Sequence, residues 1–268
     1  MRVFDPYLRD WHLVPDGEPM ATPSSDLLPV RQAGVAAMLK VARLDEERHG
    51  GQLMVWWNGD GAARVLAHDC DALLLERAQG PLSLADLVRQ GDDARATRIL
   101  CATAARLHAP RPQPLPDLVA LDDWFRDLWP AAAGQGGLLG QCARTARDLL
   151  AAPRQVGVLH GDIHHGNVLD FGARGWLAID PKRLYGERGF DYANLFCNPA
   201  PEAALAPGRF EQRLDIVAGE AGLERRRLLQ WILAWSGLSA LWMRQDGGDG
   251  AATLQVAERA AAALASSE

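Results

Sequence analysis

The sequence predicts an α+β fold with two unequal lobes, a β-rich lobe over residues 1–79 and a mostly helical lobe over residues 80–268. Before residue 80, short apolar runs rich in β-forming residues alternate with turn signals. After Gly80 the apolar residues follow helical spacing instead. A chain of 268 residues is also long enough for two units that each bury a core.

The first lobe is predicted to be an antiparallel sheet of about five strands. Short segments of turn-forming residues separate the candidate strands, which are WHLV, DLLPV, VAAMLKVA, ARVLAHD and ALLLERA. A helix from about Leu44 to Trp57 interrupts this series. It is predicted because Leu53, Met54 and Trp57 share one helical face.

Helices dominate the second lobe. The stretch SLADLVRQG begins with Ser83 as a candidate N-cap, and the next helix has an apolar stripe formed by Ile99, Leu100, Thr103 and Leu107. Residues 117–152 and 201–265 are rich in alanine and leucine at helical spacing. Between them, residues 156–181 form one β island, which is where the chemistry is expected.

Composition and charge exclude several classes of protein. The chain has 48% hydrophobic and 23% charged residues, and no apolar run approaches the roughly 20 residues of a membrane span. The N-terminus lacks the apolar core of a secretory signal, so we expect a cytoplasmic protein. The four cysteines form no CxxC pair, which argues against a structural zinc site. The net charge of −6 disfavours a nucleic-acid partner and suits a cationic ligand, and a monomer is the default expectation.

The β island contains a cluster of polar residues, LHGDIHHGN, followed by two strands joined at GARG. If Ala173 and Arg174 form the tip of this hairpin, Asn167 lies opposite Asp180. A carboxamide and a carboxylate at the open end of a hairpin make an oxygen-rich site that suits Mg²⁺. Asp162 precedes the hairpin in the loop and is expected near the same point.

An H-x-D-x-x-x-x-N stretch followed by a hairpin that ends in aspartate is the arrangement of the kinase catalytic loop. Here it consists of His160, Asp162, Asn167 and Asp180. The longer string LHGDIHHGNVLDFGARGWLAIDPKRLYGERGFDYANL closely resembles the aminoglycoside phosphotransferase superfamily, and within it the streptomycin 6-phosphotransferase-like and hydroxyurea phosphotransferase-like branch. The resemblance implies a two-lobed protein-kinase-like fold with an N-terminal ATP-binding lobe.

The resemblance also implies a reaction. The γ-phosphoryl group of ATP would pass to a hydroxyl of a cationic small molecule, an aminoglycoside or aminocyclitol such as streptomycin. By family position, Asp162 is the base, and Asn167 and Asp180 hold Mg²⁺. His160 and Asp191 would support the catalytic loop.

A single lysine, Lys40, ends the apolar strand VAAMLKVA, where a charge is costly unless it is paired. The resemblance makes it the residue that binds the α- and β-phosphates of ATP. Its carboxylate partner should come from the following helix, where Glu46 and Glu47 are the candidates and Glu47 is favoured. Relatives often have a glutamate nearer position 50, where this chain has glycine.

The remaining nucleotide contacts rest on alignment with the family. No G-x-G-x-x-G loop is present in the sequence. Instead, Ser24 and Ser25 in MATPSSDL are expected to offer backbone N–H groups and hydroxyls to phosphate. Main-chain groups of Glu76 and Ala78, in the stretch that resembles the hinge, are expected to pair with adenine.

Several polar residues are candidates for the acceptor site. Asp122 and Asp123 either N-cap a helix or line an acidic pocket. Asp246 and Asp249 are candidates for contact with a cationic sugar, and Glu187 is a candidate for reaching substrate. Trp231, Trp235 and Trp242 recur at near-helical spacing and are interpreted as core, while His164 and His165 are interpreted as loop residues of little chemical role.

Three alternatives stay open. The acceptor could be another sugar or amino alcohol in a metabolic reaction. His160, Asp162 and His164 also resemble half of a metallohydrolase site, although no histidine follows His165 to complete it. The third alternative is a catalytically silent binding module with the same fold.

Overall fold

The computed structural model describes residues 2–133 and 136–266, without the side chains of residues 45–47, 49 and 131–133. It has a β-rich lobe followed by a helical lobe, so the predicted α+β, two-lobed fold is confirmed. The boundary between residues 79 and 80 stays a prediction.

The first lobe has one antiparallel sheet, in the order β1-β3-β4-β6-β5 with β2 paired to β3. The five predicted strands are all present, and β2 is an additional short strand within MATPSSDL. A short helix, α1 (Asp5–Asp10), precedes the sheet. The strands are β1 (Leu13–Pro15), β2 (Met20–Ala21), β3 (Ser25–Gln32), β4 (Val35–Ala42), β5 (Val65–His68) and β6 (Ala72–Glu76).

The sheet has apolar side chains on both faces because successive residues of a strand point in opposite directions. In β6, Leu74 contributes to a small core under α1, whereas Leu73 and Leu75 belong to the large core that continues into the second lobe. Helix α2 (Asp45–Trp57) covers this second face. The predicted face of Leu53, Met54 and Trp57 is buried, each residue being at most 1% exposed, and this prediction is confirmed.

The second lobe is mostly helical, as predicted. The Ser83 hydroxyl accepts a hydrogen bond from the Asp86 amide at 3.4 Å, which confirms the N-cap. Trp231 and Trp235 are buried in α10, whereas Trp242 near its end is partly exposed. The helices are α3 (Leu84–Arg89), α4 (Asp93–Leu107), α5 (Leu121–Trp124), α6 (Leu128–Ala133), α7 (Leu138–Ala151), α8 (Pro201–Ala204), α9 (Arg209–Ala221), α10 (Arg225–Gln245) and α11 (Ala251–Ala265). None of the helices within residues 2–133 and 136–266 is both long and apolar enough to cross a bilayer.

A three-stranded sheet holds the loop that precedes the hairpin. It consists of β7 (Val119–Ala120), β11 (Leu184–Glu187) and β8 (Val156–Leu159), with β11 in the middle. Strand β8 leads directly into the polar cluster at residue 160, and β11 returns from the hairpin. Both ends of the polar segment are therefore fixed to the same sheet.

The hairpin consists of β9 (Val168–Asp170) and β10 (Trp176–Ala178), joined by a 3-10 turn over Gly172–Arg174. Val168 pairs with Ala178, so Asn167 lies opposite Ile179, whose amide donates to the Asn167 carbonyl at 2.9 Å. The predicted pairing of Asn167 with Asp180 is wrong by one residue. The reason is the turn, which is centred on Ala173 alone and has one residue fewer than the expected tip.

Candidate active site

The loop from His160 to Asn167 is fixed by a buried carboxylate. Asp191 accepts the backbone N–H groups of His160 at 2.8 Å and Gly161 at 2.7 Å. It also contacts Nε2 of His108, at the end of α4, at 2.7 Å. Burial by itself would raise the pKa of Asp191, but these hydrogen bonds, above all that of His108, hold it below the ordinary value. Asp191 therefore bonds the loop as an ionised group.

Gly161 is needed in this loop for two reasons. Its φ is +86°, in the left-handed region that favours glycine. A Cβ atom there would lie 2.9 Å from side-chain atoms of Leu184 and Lys182. The loop can approach β11 closely only with glycine at this position.

His160 is buried, and hydrogen bonds involve both of its ring nitrogens. Nε2 lies 2.8 Å from the Ile179 carbonyl, and Nδ1 accepts the Asp162 amide at 3.2 Å. The ring also stacks on Trp57 with 6.1 Å between centroids. Neither nitrogen is left to bind a metal. This bonding of the His160 ring argues against the metallohydrolase alternative. Within the described part of the chain, no group of three histidine, cysteine or acidic side chains is placed to hold a metal ion.

Asp162 is positioned by two carboxamides. Asn167 Nδ2 donates to the Asp162 backbone carbonyl at 2.9 Å and to Asp162 Oδ2 at 3.2 Å. Asn194 Nδ2 donates to Asp162 Oδ1 at 2.7 Å. Burial raises the pKa of Asp162 to about 7. A carboxylate with a pKa near the working pH is suited to accept a proton from a hydroxyl.

Asn167 and Asp180 lie at the open end of the hairpin. Asn167 is opposite Ile179, and Asp180 is the residue after Ile179. Because Asn167 Nδ2 donates to Asp162, its Oδ1 is the atom that can coordinate a cation. Asp180 has a φ of +65° and makes an ion pair with Lys40 of β4. Two hard oxygen donors, completed by phosphate oxygens of a nucleotide, fit Mg²⁺ better than a softer metal. The structure thus brings Lys40, Asp180, Asn167 and Asp162 to one cleft.

The predicted partners of Lys40 in α2 cannot be compared with the structure, because the side chains of Glu46 and Glu47 lie outside the described residues. The following turn of α2 explains the glycine at position 50. A Cβ atom on Gly50 would lie 2.6 Å from the Pro181 carbonyl oxygen, next to Asp180. The backbone of helix α2 therefore packs against the backbone of Pro181, next to Asp180, the candidate metal ligand.

The four remaining nucleotide candidates differ in availability. The Ser25 amide donates to Thr22 Oγ1 at 2.9 Å, so the expectation that it offers its N–H to phosphate is wrong. Its hydroxyl is buried, and the Ser24 carbonyl accepts from the Arg43 amide at 2.8 Å. Ser24 is half-buried at the turn between β2 and β3.

At the end of β6, the Glu76 amide donates to the Arg64 carbonyl at 2.9 Å. The Glu76 carboxylate contacts the Arg64 amide at 2.6 Å and the Arg174 guanidinium. Ala78 follows the strand and is half-buried. The main chain of residues 76–78 lies at the junction between the β-rich lobe and the helical lobe.

Asp162 faces a cavity of about 1030 Å³ in the helical lobe. Trp242 Nε1 donates to Asp127 Oδ2 at 3.0 Å, and its ring meets Trp124 edge to face at 5.3 Å. Arg183, on the same wall, is paired with Asp117 at 2.7 Å. The charged lining residues are Asp123, Asp127, Asp162, Asp246, Arg126, Lys182 and Arg183.

Of the acidic acceptor candidates, Asp123 and Asp246 line this cavity. Neither Asp122 nor Asp123 caps α5, whose N-cap is Ala120. Asp249 accepts the Ala251 amide at 2.9 Å at the start of α11. Glycines before α11 turn the chain there, which directs Asp249 to the helix end.

The expectation that Glu187 reaches substrate is wrong. Glu187 is 2% exposed and accepts hydrogen bonds from Arg227 at 2.6 and 2.9 Å and from Trp231 Nε1 at 2.8 Å. The Arg154 amide donates to the same carboxylate at 2.8 Å. Glu187 joins β11 to α10 and has a structural role.

Two residues that hold the site are not predicted from the sequence: His108 contacts Asp191, and Asn194 donates to Asp162. Asn194 belongs to the string GFDYANL, where its carboxamide was a signal that was not used. His108 lies over 80 residues before its partner along the chain and in no motif. Only the folded arrangement brings it to the loop.

Comparisons with known proteins identify the family of this chain. A family profile described as aminoglycoside/hydroxyurea antibiotic resistance kinase matches residues 10–247. The chain is 56% identical over 242 residues to streptomycin 3''-kinase of Klebsiella pneumoniae, covering 88% of this chain and 91% of that one. It is 31% identical over 251 residues to streptomycin 6-kinase of Streptomyces glaucescens, covering 88% and 80%.

Among solved structures, the fold is similar to a thermostable mutant of aminoglycoside phosphotransferase APH(4)-Ia in a ternary complex with ADP and hygromycin B. The TM-score is 0.67 at 14% identity, and 99% of each chain is covered. At that identity the likeness concerns the fold alone. Together with the family match over most of its length, these relationships show that the chain is a phosphotransferase that belongs to the family of aminoglycoside/hydroxyurea antibiotic resistance kinases.

Proposed function

We propose that this protein transfers the γ-phosphoryl group of ATP to the 3''-hydroxyl of streptomycin. The proposal rests on the position of Asp162. On one side, Asp162 is hydrogen-bonded to Asn167, which lies near Asp180 at the end of the hairpin. On the other side, it faces the 1030 Å³ cavity. The choice of hydroxyl rests on the 56% identity to a streptomycin 3''-kinase, compared with 31% to a streptomycin 6-kinase.

In this reaction Asp162 is the base. The acceptor hydroxyl oxygen forms a bond to the γ-phosphorus, while the bond from that phosphorus to the β,γ-bridging oxygen breaks and ADP leaves with the electron pair. The hydroxyl proton passes to the Asp162 carboxylate. Asn167 and Asn194 hold the two carboxylate oxygens, so the base enters the reaction already oriented.

The nucleotide binds in the cleft between the lobes. Lys40 would contact the α- and β-phosphates, and Asn167 and Asp180 would hold Mg²⁺, which would screen the phosphate charge. Main-chain groups of Glu76 and Ala78 contact adenine, and Ser24 is the phosphate candidate left in the β2–β3 turn. Use of ATP also supports a location in the cytoplasm.

The acceptor binds in the cavity beside Asp162. Streptomycin is cationic, and the side chains of Asp123, Asp127 and Asp246 give this cavity negative groups distributed over two helical regions. Tryptophan rings beside Asp127 add an apolar wall to the polar one. Attraction between exposed charges is screened by salt, so acceptor binding should weaken as ionic strength rises.

Purified protein with MgATP and streptomycin tests the proposal. We expect ADP release that depends on streptomycin, and a product heavier by one phosphoryl group whose 31P–1H correlation in NMR spectra assigns the 3''-position. Phosphorylation at another hydroxyl would contradict the regiochemistry alone. Release of ADP with another sugar or an amino alcohol, but not with streptomycin, would favour a metabolic kinase, and no ADP release with any acceptor would favour a silent binding module.

A further inference from the structure

His164 lies in the catalytic loop two residues after Asp162 and lines the same cavity. Its side chain is 25% exposed and that of Asp162 is 32% exposed, so both are accessible from that cavity. From the sequence alone, His164 is expected to be a loop residue of little chemical role. The geometry around its ring indicates otherwise.

One nitrogen of the His164 ring is bonded to the loop itself. The Gly166 amide donates to Nδ1 at 3.0 Å. A ring nitrogen that accepts a hydrogen bond has no proton, so in the neutral imidazole the proton is on Nε2. The backbone thus selects one tautomer.

The donor selected in this way is directed toward the base. Nε2 lies 3.8 Å from Asp162 Oδ1, which is too far for a direct hydrogen bond. Both groups can contact a single oxygen atom placed between them and toward the cavity, at ordinary hydrogen-bond distances of about 2.8 Å from each. A hydroxyl there would accept from Nε2–H and donate its own hydrogen to Asp162.

We propose that His164 is a further catalytic residue, whose Nε2–H binds the oxygen of the acceptor hydroxyl and orients its proton toward Asp162. The inference rests on the proposed phosphoryl transfer to a hydroxyl. His164 neither gains nor loses a proton in this step, since the hydroxyl proton goes to Asp162 and the oxygen–phosphorus bond forms as the bond to ADP breaks. Its contribution is orientation of the nucleophile.

Gly166 makes the ring position possible. A Cβ atom on residue 166 would lie 3.0 Å from Cε1 and 3.3 Å from Nδ1 of His164. Alanine at this position would therefore displace the ring while leaving its chemistry unchanged. This variant tests the position of Nε2 without removing the donor.

Two substitutions of His164 separate the structural bond from the proposed donor. His164→Asn keeps an oxygen that accepts the Gly166 amide but is too short to bring a donor to the place of Nε2. His164→Gln brings an amide donor there but loses the acceptor for Gly166. His12→Asn, in an exposed turn of the β-rich lobe, is a matched control for the loss of an imidazole.

The experiment measures kcat and KM for streptomycin and for ATP in these variants, together with ATP hydrolysis without any acceptor, in which water takes the place of the hydroxyl. We expect His164→Asn and Gly166→Ala to lower kcat by about 10- to 100-fold with little change in KM for ATP. His164→Gln should retain kcat within about threefold, as should His12→Asn.

A purely structural role predicts the reverse order, with His164→Asn active and His164→Gln impaired, and that result would overturn the proposal. Equal losses in both variants would overturn it as well, because a restored donor would then have no effect. If the wild-type protein fails to phosphorylate streptomycin, the proposed acceptor is wrong, and the same comparison in ATP hydrolysis still decides the role of His164.

Discussion

Lys40 in β4 and Asp180 after β10 form an ion pair across the cleft between the two lobes. Lys40 is 13% exposed and Asp180 is 33% exposed at the side chain. Their positions along the chain differ by 140 residues, so the contact depends on the packing of one lobe against the other. In the proposed nucleotide complex, Lys40 would bind the phosphates and Asp180 would hold the metal ion.

Replacing Lys40 with methionine keeps most of the aliphatic stem and removes the ammonium group. We expect KM for ATP to rise by about 10- to 100-fold, since a hydrogen bond to a charged group contributes about 1.5–3 kcal/mol. KM for streptomycin should change little. Arg31→Met, which removes a half-exposed cation from β3 of the same lobe, is the control. An unchanged KM for ATP in Lys40→Met would assign the phosphates to other residues.

Asp191→Asn should weaken both the fold and the reaction. The substitution removes the negative charge of a carboxylate that accepts hydrogen bonds from two loop amides and contacts the His108 ring. It also places the side-chain NH₂ group of the new asparagine opposite other donors. We expect the free energy of unfolding to fall by about 3 kcal/mol, measured by urea denaturation, with kcat reduced in parallel. Asp10→Asn, at a side chain that is 58% exposed, should leave both quantities unchanged. Wild-type stability in Asp191→Asn would show that the loop does not depend on this carboxylate.

Glu187→Gln tests the buried pair with Arg227 through its pH dependence. Burial would raise the pKa of Glu187, but hydrogen bonds from Arg227 and Trp231 hold it below the ordinary 4.5. A lowered pKa means that the ionised form stabilises the fold above 4.5 and that this contribution is lost as the pH falls through the folded-state pKa.

The free energy of unfolding of Glu187→Gln should therefore lie about 3 kcal/mol below wild type at about pH 7. The difference should shrink as the pH falls below 4.5 and through the lowered folded-state pKa of Glu187, and urea denaturation at a series of acidic pH values measures it. A difference that is constant over the whole range would mean that the charge of Glu187 does not stabilise the fold.

Gly50→Ala should disturb the nucleotide cleft from the side of α2. The added Cβ would lie 2.6 Å from the Pro181 carbonyl oxygen, and backbone atoms cannot move away as a flexible side chain can. We expect a loss of about 1–3 kcal/mol in stability and a higher KM for ATP, because Asp180 is adjacent to Pro181. Val55→Ala, at a more exposed position of the same helix, is the control. Equal KM values for Gly50→Ala and wild type would show that α2 can move without affecting Asp180.

The parts of the site that could be predicted are local in sequence. Asp162, Asn167 and Asp180 belong to one loop and hairpin, so their spacing alone indicated a shared site. The sheet and α2 were predictable for a similar reason, since alternation and helical spacing are read within a few residues. The error of one residue in the hairpin register came from a 3-10 turn, whose length the glycines in GARG do not specify.

The contacts that were missed connect distant segments. His108 reaches Asp191 and Asn194 reaches Asp162 only after the helical lobe has folded, and Gly50 approaches Pro181 only when the two lobes pack together. Glu187 is an error of the opposite kind, a functional role predicted for a structural residue. Its position in a motif suggested contact with substrate, but it pairs in the core with Arg227, 40 residues later. Such pairings follow from tertiary packing, which local patterns do not determine.

The role of Asp162 as the base is tested by comparing wild-type protein with Asp162→Asn at saturating MgATP and streptomycin. We expect kcat to fall by about 10²- to 10⁴-fold, because the base that accepts the hydroxyl proton is lost, while the Kd for ATP measured by calorimetry stays within about threefold. Near-wild-type turnover by Asp162→Asn would show that Asp162 is not the base and that another residue accepts the proton.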